Sequence, residues 1–274
     1  MTTTLRPTEP LQRNADGTRS RRYQVCVNSR PVGAIHLGTH PVFGDAVARI
    51  MKLRIEEPDR RRGRGTVAAL AAEEVARGWG CRRIEADVPA EPDAALRLAT
   101  ALGYVTRNRN MRKALDGPPP VLPAGTRARP MTEDEYGPWL AKGREDYARS
   151  WMERGVPEAE ARAKSERDHA DLLPDGHRTE NMLLSVLAHE GTAVGTLWLA
   201  LRADDAFVFD VETVPEHRGR GHGRSLLLLA EAQAAESGRR AVGLNVFAGN
   251  TPAERLYDSL GYGTTRYAMY KPLL

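Results

Sequence analysis

The 274-residue sequence predicts an α/β (α+β) fold: two tandem domains, each setting a mixed β-sheet against helices. Three observations predict it. Arg60, Gly63, Gly65, Gly80, Gly103 and Lys113 recur 158 positions later as Arg218, Gly221, Gly223, Gly238, Gly261 and Lys271. Self-similarity at a fixed offset marks a repeated architecture. Each copy alternates strand-like and helix-like runs in the same order. Between the copies, Asp116-Gly117-Pro118-Pro119-Pro120 and Pro123-Ala124-Gly125 make a stiff, polyproline-like linker. The division that follows is a first domain over 1–116, a linker over 117–125 and a second domain over 126–274.

The elements follow in chain order. Arg6-Pro7 matches Arg129-Pro130 at an offset of 123, and Val32-Gly33-Ala34-Ile35 matches Val194-Gly195-Thr196-Leu197 at 162. The first copy therefore lacks about 39 residues near its start. In the second copy that stretch reads as two helices. Thr132 with Glu133, Asp134 and Glu135 gives a hydroxyl cap and an acidic first turn. Pro157-Glu158 gives a second start, with proline in the first turn. Ser185–His189 and Val194–Leu201 read as strands across a turn at Glu190-Gly191, and Phe207–Val214 as a third. Arg224–Glu236 is a Leu/Ala helix ended by Gly238. Val242–Phe247 is a strand, Pro252–Leu260 a helix, and Gly263–Lys271 a strand expected to close the second sheet.

Composition sets limits. Hydrophobic residues at 41% and charged residues at 28% describe an ordinary globular chain, without an apolar run long enough to span a bilayer. Residues 1–10 lack the apolar stretch of a signal peptide, and two cysteines, Cys26 and Cys81, make no disulfide framework, so a cytoplasmic location is expected. Residues 1–117 carry 21 Lys/Arg against 13 Asp/Glu, a balance of +8, while the remainder carries 19 against 23, a balance of −4. A basic half fits a polyphosphate ligand or an acidic neighbour better than nucleic acid, because no aromatic residues interleave the arginines. His169, His177 and His189 have no ligand spacing, so no metal site is expected.

The sharpest local feature is Pro215-Glu216-His217-Arg218-Gly219-Arg220-Gly221-His222-Gly223-Arg224, between a strand and a helix. Glycines let backbone amides approach a ligand, successive amides form an anion nest, and the helix adds its positive end. This chemistry suits phosphate or pyrophosphate. The spacing is neither a Walker loop nor a dinucleotide fingerprint. Together, Arg218-x-x-Gly221-x-Gly223, Asn250, Ala253, Leu256-Tyr257 and Leu260-Gly261-Tyr262 resemble the motifs of the GNAT superfamily of N-acetyltransferases. The resemblance covers residues 126–274 well and residues 1–115 more loosely. It implies splayed central strands with acetyl-CoA, as cosubstrate, in the gap. The implied contacts are the loop amides of Gly219, Arg220, Gly221, His222, Gly223, Arg224 and Ser225 on the pyrophosphate, with Arg218 beside them. Backbone groups near Glu212, Thr213 and Val214 would meet the pantetheine and acetyl carbonyl. Asn250 would touch the pantetheine, cap its helix, or both.

Amine acetylation needs deprotonation of an ammonium of pKa about 10.4, a polarised carbonyl and a stabilised thiolate. Tyr257 stands where the resemblance places the hydrogen-bond donor to sulfur. Asn245 cannot take a proton, which leaves Asp210 and Glu212 as carboxylates of the preceding strand. Glu212, closer to the loop, is the base chosen; a strand-end salt bridge for Glu212, and a water chain in place of a base, are the alternatives. At offset 158, Tyr257 becomes Ala99, Asn250 becomes Pro92 and Gly219 becomes Arg61, so the first copy reads as non-catalytic. The expected protein is an acetyltransferase and a pseudo-dimer within one chain, acting on a primary amine of a small molecule or peptide in a ternary complex. Acidic residues in the helical insert (Glu145, Asp146, Glu153, Glu158, Glu160, Asp168 and Asp171) hint at a cationic acceptor. A non-catalytic acyl-CoA sensor and a transferase for longer or dicarboxylic acyl groups are the competing readings.

Overall fold

The computed structural model describes residues 3–273. The chain forms two compact units, one of the residues up to Arg109 together with those from Thr265 on, the other of Asn110–Thr264. The first unit contains β1 (Thr3–Pro7), β2 (Gln12–Arg13), β3 (Arg19–Val27), β4 (Arg30–His40), β5 (Gly44–Ile55), α1 (Arg64–Gly78), β6 (Arg83–Pro89), α2 (Ala94–Ala101) and the start of β7 (Val105–Ala114). The second contains the end of β7, β8 (Thr126–Pro130), α3 (Glu133–Met152), α4 (Glu158–Leu172), β9 (Met182–His189), β10 (Thr192–Leu201), β11 (Ala206–Thr213), α5 (His222–Glu236), β12 (Ala241–Phe247), α6 (Thr251–Ser259) and the first residues of β13 (Gly263–Pro272).

The repeat is structural. The bounds of α1 and α5, of β6 and β12, and of β7 and β13 each differ by 158, and those of β1 and β8 by 123. In both units most neighbouring strands are antiparallel, and one central pair, β5–β6 or β11–β12, is parallel. The insert unique to the second copy is α3 and α4. Thr132 and Glu135 form a reciprocal capping box at the start of α3, and Arg129 with Thr132 holds the Glu135 carboxyl down at about 2. Pro157 is the residue before α4 rather than inside its first turn; its fixed φ enters the helix from outside.

Two buried clusters hold the units. α5 lays Leu226, Leu227, Leu229, Ala230 and Ala234 on the sheet beside Leu197, Leu199, Val208 and Leu244. Full burial of each such leucine contributes about 1.5–3 kcal/mol. In the first unit α1 offers mostly alanines, Ala72 and Ala76, to Ile35, Leu37 and Ile84. The linker region is tied to the second unit as well, since Leu115 and Leu122 pack against its core while Val121 stays exposed.

One expectation about the closing strand changes. The sequence reading placed Gly263–Lys271 in the second sheet. In the structure Arg266–Pro272 pairs antiparallel with Arg83–Pro89 of β6, and Met269 and Leu273 join the first unit's core. In return, Met111 of β7 lies in the second unit's core. The two copies exchange their last strands. The division at 116 and 126 follows the repeat; the compact units follow the packing. The physical reason is the repeat itself. β7 and β13 match at Thr106/Thr264, Met111/Met269 and Lys113/Lys271, so each carries the anchoring residues for either sheet, and exchanging equivalent elements costs little.

A buried ion pair fixes each exchanged strand. Lys271 of β13 meets Glu73 of α1 at 2.7 Å, and the Lys271 ammonium lies 5.9 Å from the Tyr104 ring centre. Lys113 of β7 meets Glu231 of α5 at 2.7 Å, and its ammonium lies 5.9 Å from the Tyr262 ring centre. Glu73 and Glu231 are 1% and 3% exposed. Loss of one partner from such a pair leaves a buried charge, so the pair locks the docked strand in place.

Candidate active site

The site begins where β11 leaves β12. These parallel strands pair only at Ala206–Val242, Phe207–Gly243 and Val208–Leu244. Beyond Val208 no residue of β11 is paired with β12, so a run of backbone groups on that side is left for another partner. Phe209 is the extra residue of a bulge against β10, between the pairs Leu199–Val208 and Trp198–Asp210. From Asp210 on the register is regular through Thr213, so Asp210 and Glu212 share one face and Val211 and Thr213 the other. β10 comes close here because Gly195 has no side chain. A Cβ at Gly195 would lie 2.4 Å from the Glu212 carbonyl oxygen and 2.8 Å from Leu226.

The opening is a cleft of about 690 Å³. One wall is Val211, Glu212 and Thr213; the loop contributes Arg218, Gly219, Gly221, His222, Gly223 and Arg224; α6 contributes Asn250, Ala253, Leu256 and Tyr257. Gly219 and Gly221 take φ of 76° and 87°, the left-handed region that L side chains avoid. The Gly221 carbonyl accepts the amides of Arg224 and Ser225, and the earlier loop amides at the α5 N-terminus remain as donors for an anion. Donors at one end, an unpaired strand edge along one side and a cleft between them fit an extended ligand that carries an anionic group at one end.

Most of the sequence-predicted residues meet here. Val214, Arg220 and Ser225 do not line the cleft. The Val214 amide bonds to the Val194 carbonyl, Arg220 is exposed, and Ser225 is buried in α5. Asn250 caps α6, its side chain accepting from the Ala253 amide at 3.4 Å, while also lining the cleft. Arg218 donates to the Thr213 carbonyl and tethers the loop to the strand end. His222 is 7% exposed, with ring centres of His189 at 5.2 Å and His217 at 6.2 Å. Burial, then His189, His217 and Arg220, lower its pKa, so the ring is neutral beside the glycine loop.

Tyr257 is 6% exposed. Burial first, then the charge of Asp210, push its hydroxyl up to about 12, so it is a hydrogen-bond donor at neutral pH. The two carboxylates differ. Glu212 is held by Lys142 at 2.7 and 2.8 Å, and Arg218 stands 3.8 Å away. Asp210 lies one pleat deeper, and burial, then Glu212, raise its pKa to about 6. Sequence reasoning preferred Glu212 for nearness to the loop; it had no sight of Lys142, which arrives from α3. It also passed over Trp198, cross-strand neighbour of Asp210. That indole is 4% exposed and its Nε1–H has no partner among the described residues. A Trp on the same sheet face as an acid was the available signal.

The acidic residues of the insert mostly satisfy one another's neighbours. Glu145 and Glu158 bond Arg162, Asp146 bonds Lys142 and Arg149, and Asp168 bonds Lys164 and Tyr147. They read as helix-surface pairs, and the hint of a cationic acceptor now rests on Asp146 and Glu212 around Lys142.

Comparison with known proteins gives one answer. A family model described as the acetyltransferase (GNAT) family matches residues 2–104 and 141–262. A mycothiol acetyltransferase of Thermobispora bispora is 32% identical over 276 residues, covering 90% of this chain and 88% of that protein. The uncharacterized N-acetyltransferase YycN of Bacillus subtilis is 31% identical over 151 residues, covering 53% of this chain and 96% of its own. Among solved structures, a tandem GNAT protein from the clavulanic acid biosynthesis pathway superposes with a TM-score of 0.53 at 21% identity, covering 94% of this chain and 84% of that one.

Proposed function

The chain belongs to the GNAT acetyltransferase family, and from that premise we propose that its second unit transfers acetyl from acetyl-CoA to a primary amine of a small molecule or peptide, by direct attack in a ternary complex. The observation that carries this reading is one cleft lined together by the glycine loop, the unpaired edge of β11 and Tyr257, whose hydroxyl feels the charge of Asp210 behind that edge. Acetyl-CoA supplies the activated thioester. The loop amides from Gly219 to Gly223 and the positive end of α5 hold its phosphates. The unpaired edge of β11, from Val211 to Thr213, orients the chain and donates to the carbonyl. Asn250 holds the cleft wall by capping α6.

Asp210, not Glu212, takes the acceptor's proton. A carboxyl at about 6 is ionised at pH 7.5 yet basic enough to share a proton with an ammonium. The amine then forms the N–C bond as the C–S bond breaks, and the further proton its nitrogen must lose goes to the departing thiolate, giving the amide and the free thiol. Tyr257 donates a hydrogen bond to the departing thiolate, keeping its own proton because a thiol near 8.5 is the stronger acid. Glu212 and Asp146, with Lys142 between them, form the polar rim over which the acceptor enters.

The test is thiol release from acetyl-CoA across a panel of polyamines, amino sugars, peptide N-termini and a mycothiol-related amine, the last because of the relatives so named. Turnover with one class, lost in Asp210→Asn, supports the proposal. Tight acetyl-CoA binding with no acceptor turned over would replace it with a sensor.

A further inference from the structure

The first unit repeats the cleft and inverts its chemistry. A cavity of about 580 Å³ lies between β5, α1, β6 and α2. Its loop keeps the backbone form. Arg61 takes φ of 56° and Gly63 takes 72°, against 76° and 87° for Gly219 and Gly221. An L-residue held there costs about 1 kcal/mol. At offset 158 the reacting groups are replaced: Asp210 by Lys52, Glu212 by Arg54 and Tyr257 by Ala99. Lys52 and Ala99 both line the cavity. Four further cations line it, Arg60, Arg61, Arg64 and Arg97, against one carboxylate, Asp87, which is bonded to Arg49. The Lys52 ammonium is exposed and makes no hydrogen bond or ion pair with the described residues.

We propose that this first cleft is a receptor for a coenzyme A thioester whose acyl chain ends in a carboxylate, held without being turned over. The proposal rests on the acyl-CoA reading of the repeated cleft and adds the ligand's chemical class. The loop and α1 take the phosphates, as in the second unit. At the far end, truncation of the tyrosine to Ala99 leaves room for a longer acyl chain. Lys52 supplies the opposite charge for its end, where the second unit presents Asp210 and Glu212 and repels one. With Lys52 in place of Asp210 and Ala99 in place of Tyr257, the first unit lacks the groups assigned in the second to taking a proton and supporting a leaving thiolate.

Calorimetric titration of the full-length Gly221→Glu variant isolates the first cleft, because a glutamate at a φ of 87° strains the second loop and opposes phosphate there. A melting curve checks that this variant is folded. Succinyl-CoA should bind it at one site about tenfold more tightly than acetyl-CoA. Lys52→Glu should erase that preference, and Lys52→Arg should restore it. Should Gly221→Glu fail to fold, competition between the two thioesters on the unmodified chain gives the same ratio at the added site. Equal affinities, or a preference indifferent to Lys52→Glu, would overturn the proposal. An unmodified chain that binds acetyl-CoA at one site and succinyl-CoA nowhere would overturn it too, leaving the second unit's assignment intact. Failure to bind any thioester would instead strike the underlying reading.

Discussion

The two clefts share a backbone and differ in side chains, among them four at the positions proposed for chemistry. Both have a left-handed pair in the loop, a helix start behind it and a glycine that lets the preceding strand come close: a Cβ at Gly33 would lie 2.3 Å from the Arg54 carbonyl oxygen, as one at Gly195 would lie 2.4 Å from that of Glu212. Yet Asp210, Glu212, Asn250 and Tyr257 stand opposite Lys52, Arg54, Pro92 and Ala99. The comparison separates two layers of design. Binding architecture is carried by backbone conformation and survives duplication. In the proposed reading chemistry is carried by a few side chains, and substituting those turns a transfer site into something else.

Mutations can break this comparison where it is strongest. Gly33→Ala and Gly195→Ala should each destabilise the protein by about 3 kcal/mol or more, because backbone oxygen stands where the methyl must go. Matching losses in chemical denaturation would confirm a shared scaffold; a tolerated Gly33→Ala would show that the first unit has relaxed. Lys113→Met and Lys271→Met should each cost about 3 kcal/mol by stranding Glu231 or Glu73. If one proves neutral, only the other strand is locked by its pair.

Three smaller effects sharpen the difference. Asp210→Asn should lower kcat/KM about 100-fold at pH 7.5 and remove an acid limb near pH 6 from the pH profile. The stability change has a definite sign. The folded pKa lies above the unfolded value of 3.8, so the penalty of a buried charge is absent below that value and grows as pH rises through about 6. Asp210→Asn should therefore raise the melting temperature at pH 8, by an increment worth roughly 2 kcal/mol, and leave it unchanged at pH 3.5. Tyr257→Phe should cost about tenfold in kcat with acetyl-CoA affinity retained, read by stopped-flow and calorimetry. Lys142→Met removes an exposed pair worth under about 1 kcal/mol. Its expected signature is a KM for cationic amines lowered about threefold, since Glu212 and Asp146 are released.

Much of this was legible in the sequence, for identifiable reasons. The glycine loop and the strand–helix order recur at one offset, and hydrophobic periodicity did the rest. Thr132 announced α3 through its capping box, and Gly238 ended α5 with a φ of 75°. What stayed hidden depends on long-range choice. The destination of β13 could not be read, because its matched residues suit both sheets. The difference between Asp210 and Glu212 could not be read either, because Lys142 lies 70 residues from Glu212. Two carboxylates alternating on a strand look alike until a helix from elsewhere claims one.

The exchanged strand also sets an order of assembly. Residues up to Arg109 lack their closing strand until those from Thr265 onward have been made. During synthesis the N-terminal half therefore leaves the ribosome with the β6 edge uncovered, and domain-by-domain folding from the N-terminus is closed to it. The C-terminal half, already holding the end of β7 when its own last strand emerges, can finish first. A protease cut within 117–125 in the mature chain should then release no free half, because each fragment carries a strand of the other.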